Sequence, residues 1–121
     1  TGIAVPPSTH GEIKALALAT LAAMQDWVRV VEMARHTCME NDAVEQEALL
    51  KLIWQILYAE RHCDVLFRGV RRSLVRERLS DPSTLALLTD LASAMERATD
   101  ALLRAGHALR NLVIQRSEVL L

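Results

Sequence analysis

Two copies of a Glu-Arg-x-x-Asp pattern stand in this chain, Glu60-Arg61-His62-Cys63-Asp64 and Glu96-Arg97-Ala98-Thr99-Asp100. In a helix, positions i and i+4 share a face, so each copy presents two carboxylates side by side. Ser80 lies midway between them: Glu60 and Asp100 are each twenty residues away, Asp64 and Glu96 each sixteen. A chain that turns back at Ser80 brings all four acids to one height. Carboxylates so grouped repel each other unless a cation sits among them or solvent screens them. Oxygen-only donors suit Mg²⁺, Mn²⁺, Ca²⁺ or iron better than zinc or copper. Glu60, Asp64, Glu96 and Asp100 are therefore the candidate metal ligands, and no residue is assigned a catalytic role.

The competing account of the same acids is ordinary ion pairing. Arg68 and Arg104 lie four residues beyond Asp64 and Asp100, the spacing of a helix-surface pair. Glu60 needs more explanation than the others. A helical wheel puts it about 40° from the centre of its helix's apolar face. Asp64 and Glu96 fall at the edges of their faces, and a buried carboxylate without compensation is costly. The first helix is expected to contribute nothing at this height, since the residues opposite are near Leu18 and Ala22.

The elements that must position these acids are helical. Residues 1–8 read as an irregular lead-in. Thr9-x-x-Glu12 is a capping-box pattern opening a first helix over 9–39, with Ile13, Ala17, Leu21, Met24, Trp27, Val28, Val31 and Cys38 on its apolar face. The break falls at Glu40-Asn41-Asp42, and Asp42-x-x-Glu45 offers a second capping box. A second helix over 43–79 holds Leu49, Leu52, Ile53, Ile56, Ala59, Cys63, Leu66, Phe67, Val70 and Leu74 inward. Ser80-Asp81-Pro82 is the clearest punctuation, a polar cap followed by proline at the first helical position. A third helix over 82–117 turns Leu88, Leu91, Met95, Ala98, Leu102, Leu109 and Val113 inward. Short turns between long helices imply one all-α domain over 9–118, an antiparallel three-helix bundle. Leu50, Trp54, Leu57 and Tyr58 fall outside the main stripe of the second helix, and a second apolar surface implies a partner. The expected partner is another copy, as a homodimer or higher oligomer, or a missing second half.

Composition agrees. With 121 residues, 51% of them hydrophobic and only 4 Gly and 3 Pro, the chain can bury a core without disulfides or a structural metal. The net charge of −1 conceals a basic stretch (Arg68, Arg71, Arg72, Arg76, Arg78) and an acidic one (Glu40, Asp42, Glu45, Glu47). The basic stretch suits phosphate, an acidic partner or a membrane surface, or is simply a solvated helix face. A nucleic-acid partner is not expected. Cys38 and Cys63 would sit roughly 25–30 Å apart along the rod, too far for a disulfide, so two free thiols and a cytoplasmic setting are expected. Ala15–Met24 is apolar apart from Thr20 but too short for a membrane span, and it reads as core. The chain does not begin with Met and is read as processed or as part of a longer protein.

The paired Glu-Arg-x-x-Asp motifs on long antiparallel helices resemble the PhoU-like phosphate-transport regulators and the accessory proteins of low-affinity phosphate transporters. The second copy, Asp90-Leu91-x-x-x-Met95-Glu96-Arg97-x-x-Asp100-x-x-x-x-Ala105, is the more typical, and the first is followed by Leu66-Phe67 as in those accessory proteins. The resemblance spans about residues 42–117. It implies a non-enzymatic regulator or adaptor of phosphate uptake, with a membrane phosphate transporter or sensor protein as partner. It also implies a multinuclear divalent-metal or iron cluster on the bundle surface, held by Glu60, Asp64, Glu96 and Asp100. The family has two three-helix repeats where this chain has one.

Two other readings stand beside it. Ala105-Gly106-His107-Ala108-Leu109-Arg110-Asn111 is similar to the phospho-accepting helix of two-component signalling, with His107 expected to face solvent. The other is a structural oligomerisation bundle with solvated acids and no metal. A di-iron carboxylate oxidase needs Glu-x-x-His pairs, which no histidine here supplies. No nucleophile–base set, phosphate loop or zinc spacing is present, so an enzyme is not expected.

Overall fold

A computed structural model of the chain describes residues 5–40, 43–77 and 81–119. It contains α1 (Pro7–Glu40), α2 (Ala43–Glu77) and α3 (Pro82–Val119), all packed against one another. At 1.5 Å per residue these are rods of roughly 50–57 Å. Among the described residues there is no strand, and no helix is long and apolar enough to cross a membrane. The expected all-α three-helix bundle is the fold.

Contacts at both ends fix α1 antiparallel to α2. Ser8 Oγ donates to Glu77 Oε1 at 2.9 Å, the Thr9 and Ser73 hydroxyls meet at 2.7 Å, and His36 Nδ1 lies 3.3 Å from Glu45 Oε2. α3 runs back along α2, with Gly106 packed on Leu57. Asp81 caps α3: its Oδ1 accepts the Ser83 N–H at 3.2 Å and its Oδ2 accepts the Thr84 hydroxyl at 2.7 Å, with Pro82 at the first helical position. Ser80, Asp42 and Arg78 lie outside the described residues, as does the Cys38 side chain.

α1 departs from its expected outline. It begins at Pro7, two residues ahead of Thr9, and Thr9 is buried inside the helix bonding Ser73 rather than capping. Its inward face is also turned. Leu21 is 52% exposed, Val28 55%, and Met24 and Val31 are exposed as well. Ile13 and Trp27 are half-buried as expected, and the inward series is completed by Leu16, Thr20, Ala23, Val30, Ala34 and Thr37. These step by three and four alternately, the seam of a left-handed bundle. α1 has two adjacent apolar stripes, and the bundle takes the one with small side chains. Thr9, Ala23 and Thr37 let the backbone approach closely, and Thr20 turns its hydroxyl onto the Leu16 carbonyl at 2.8 Å. Choosing the bulkier stripe as core is the natural error of reading hydrophobicity alone. On α3, Leu91 is 45% exposed for the same reason, while Ala92 and Thr99 are buried.

Gly106 and Gly11 show how closely the seam is fitted. A Cβ on Gly106 would lie 3.1 Å from Leu57 Cδ2, whereas one on Gly11 meets nothing within 4 Å. Gly106→Val should lower unfolding free energy by about 1–3 kcal/mol through overpacking, and Gly11→Ala should raise it by up to about 1 kcal/mol through helix propensity. Urea titration followed by circular dichroism checks both; a neutral Gly106→Val would mean α2 and α3 do not meet there.

Candidate functional site at a polar layer in the core

The same three–four stepping runs along α2 through Gln46, Leu49, Ile53, Ile56, Glu60, Cys63, Phe67, Val70 and Leu74. Glu60 occupies a seam position, which is why a carboxyl stands at the core. It divides the interior into two clusters. One gathers Val30, Leu49, Ile53, Ile56 and Val113; the other gathers Leu16, Cys63, Phe67, Val70 and Ala92. Between them the seam turns polar, with Thr20 and Thr99 buried, Glu60 half-buried and the Cys63 thiol of the second cluster beside it. Both threonines satisfy their hydroxyls locally, Thr20 on the Leu16 carbonyl and Thr99 on the Glu96 carbonyl at 3.0 Å. They leave the Glu60 carboxyl to find its partner elsewhere.

That partner is Asp100. Burial raises the Glu60 pKa above the usual carboxylate range. The Asp100 and Asp64 charges and a hydrogen bond with the Asp100 side chain raise it further, against a smaller lowering by Arg61. Glu60 therefore takes up a proton more readily than an ordinary glutamate, and the Asp100 side chain beside it is among the causes. The Cys63 thiol is pushed up by burial and then by Glu60, with a hydrogen bond to Thr20 acting the other way. It is a buried thiol held in its unreactive form. α1 thus does contribute at this height, through Thr20, contrary to the expectation that it would not. The signal was available: Thr20 falls on the seven-residue series Ile13, Thr20, Trp27, Ala34.

The four sequence-predicted ligands divide as follows. Glu60 and Asp100 are brought together across α2 and α3, so the alignment expected of the two motifs holds for this pair. Asp64 accepts from Arg68 at 2.8 Å, the i,i+4 pair. Glu96 lines a hollow of about 310 Å³ with Phe67, Arg71 and Leu74, where the Arg71 guanidinium stands 5.8 Å from the Phe67 ring centroid. Among the described residues, no three or more His, Cys, Asp and Glu side chains are grouped so as to hold a metal ion. Glu60 and Asp100 are thus neighbours across α2 and α3, Asp64 is near enough for its charge to act on Glu60, and Glu96 faces a separate hollow.

Glu60 is reached from outside through a hollow of about 210 Å³ lined by Trp54, Tyr58, Glu60, Arg61, Leu103 and His107. His107 is exposed, as expected from the sequence. The chemistry open to this layer is proton exchange with solvent and charge pairing.

No family model matches this chain, and neither a curated protein nor a solved structure does.

An acid whose folded pKa is raised weakens the fold as pH climbs from its unfolded value through its folded one, because the unfolded chain sheds the proton first. Glu60→Gln keeps the hydrogen bond and removes that loss. The variant should melt higher than wild type at pH 7, and the gap should narrow as pH is lowered toward 5. A gap that widens on acidification would mean Glu60 is stabilised as a carboxylate.

Proposed function

We propose that this chain is a non-enzymatic helical adaptor of the PhoU-like kind, acting on phosphate uptake by docking to a membrane transporter or its sensor. The observation that carries the reading is the contact between Glu60 and Asp100, one acid from each Glu-Arg-x-x-Asp motif, meeting across α2 and α3. Three helices of 34, 35 and 38 residues in one antiparallel bundle agree with one of the two three-helix repeats of the family the chain resembles. The reading needs no metal. The paired acids serve it by aligning two long helices, because a polar group in a seam satisfies its partner in one register only. In the source organism, removing the gene should change the rate of inorganic-phosphate uptake, and Glu60→Ala/Asp100→Ala should fail to restore it. Uptake that is unchanged at both low and high external phosphate would contradict the proposal.

A second reading, a bundle that assembles with its own copy, is favoured by one specific feature. The stripe of α1 left outside the core carries Leu18, Leu21, Met24, Val28 and Val31, all between 40% and 57% exposed. Lys14 stands at one end of that stripe and Glu32 at the other. Two α1 helices packed antiparallel on this stripe set each Lys14 against the partner's Glu32, and an interface about a two-fold axis makes that pair twice. Such a pairing restores six helices. Sedimentation should give a dimer for the chain and a monomer for Leu21→Glu/Val28→Glu with its helix content intact. A monomer at both dilute and high concentration for the unsubstituted chain would rule the assembly out.

A further inference from the structure

We infer that the outer face of α2 is a docking surface for a membrane rich in anionic lipid. Opposite the seam, α2 carries a second series stepping by four and three: Trp54, Tyr58, Arg61, Val65, Arg68, Arg72 and Val75. It contains no carboxylate. Trp54 is 57% exposed, Tyr58 64%, Val65 59% and Val75 77%, a costly set of side chains to leave in water on the back of a helix. From Trp54 to Val75 the line runs about 30 Å, and Arg76 extends it.

The charge on this face is arranged for a surface rather than for a point ligand. Arg68, Arg71, Arg72, Val75 and Arg76 border an open hollow of about 530 Å³. Arg68 is shared with Asp64 at 2.8 Å, and Arg76 with Glu77 at 3.7 Å and Glu12 at 4.0 Å. Asp64 and Glu77 belong to α2 itself and Glu12 to α1, while Arg61 and Arg72 are exposed on the face. The arginines of 68–76 gather around that hollow and Arg61 stands about two turns away along the rod, so the basic surface is long enough to span several headgroups. Trp and Tyr have an apolar ring and a polar tip and settle at headgroup depth; Val65 and Val75 add apolar contact between the basic residues. A second copy of the chain is the weaker occupant, because pairing this face with itself gathers the arginines of both copies along one seam with no acid of the face to answer them. The inference stands apart from the phosphate-uptake reading and from the α1 interface.

The test is co-sedimentation of the chain with vesicles of phosphatidylcholine, with and without phosphatidylglycerol, at low salt. Binding should require phosphatidylglycerol and should be lost at about 0.5 M NaCl. Arg61→Gln/Arg72→Glu should lower the bound fraction roughly tenfold or more while its melting temperature shows the bundle intact. In a Trp27→Phe background, Trp54 emission should move to the blue on binding, and Trp54→Ser should bind more weakly than its parent. Failure to bind phosphatidylglycerol at low salt, equal binding to pure phosphatidylcholine, or undiminished binding by the double variant each overturns the inference. So does an outcome in which millimolar inorganic phosphate raises the melting temperature through these arginines while vesicles do not bind, which would make the face an oxyanion site.

Discussion

α2 commits nine residues to one seam, and the fifth of them is a glutamic acid. Everything at the centre of the molecule follows from that placement. A carboxyl at a seam position cannot be ignored by its neighbours: it must be charged and paired, or protonated and hydrogen-bonded. With Asp64 paired to Arg68, the side chain that hydrogen-bonds Glu60 is that of Asp100, and burial together with the neighbouring charges makes the Glu60 carboxyl easier to protonate. The layer splits the apolar interior into two clusters of similar size, and it links α2 to α3 by an interaction that is satisfied at one alignment only. A slip of one turn would set Glu60 beside Glu96 in one direction or Arg104 in the other, so the contact with Asp100 belongs to one alignment.

Around that layer each helix face has a distinct use. The inner seams form the core. The outer α1 stripe is apolar with a cation at one end and an anion at the other, suited to its own copy in antiparallel. The outer α2 stripe is aromatic and basic, suited to an anionic surface. These faces do not compete for the same residues, so a bundle docked on lipid through α2 keeps α1 free for assembly. An adaptor held at a membrane beside a transporter would use both.

Much of this was legible in the residues. The three helices, the Asp81 cap, the inward series of α2 and the matching heights of Glu60 and Asp100 follow from spacing and punctuation, although α1 starts two residues ahead of the capping box. What escaped was the choice between two apolar stripes on α1. Hydrophobicity favours Leu21, Met24 and Val28, but packing favours Leu16, Ala23 and Val30, since small neighbours let helices close to contact distance. The pattern that distinguishes them is the alternation of three and four shared by all three helices, visible only when small and polar residues such as Thr20 and Thr99 are counted as seam members. The four acids were read as one group because height is set by sequence separation. Which of the four carboxyls meet depends on side-chain partners such as Arg68, which height does not determine.

The most direct measurement is the titration of the Glu60 side-chain carboxyl by carbon-detected NMR, in the unsubstituted chain and in Asp100→Asn. The account predicts that Glu60 titrates above the ordinary glutamate range in the first and moves down toward it in the second, where the neighbouring charge is gone. An ordinary midpoint in both, or one insensitive to Asp100, would show that the two acids do not meet and that the seam is held by some other contact.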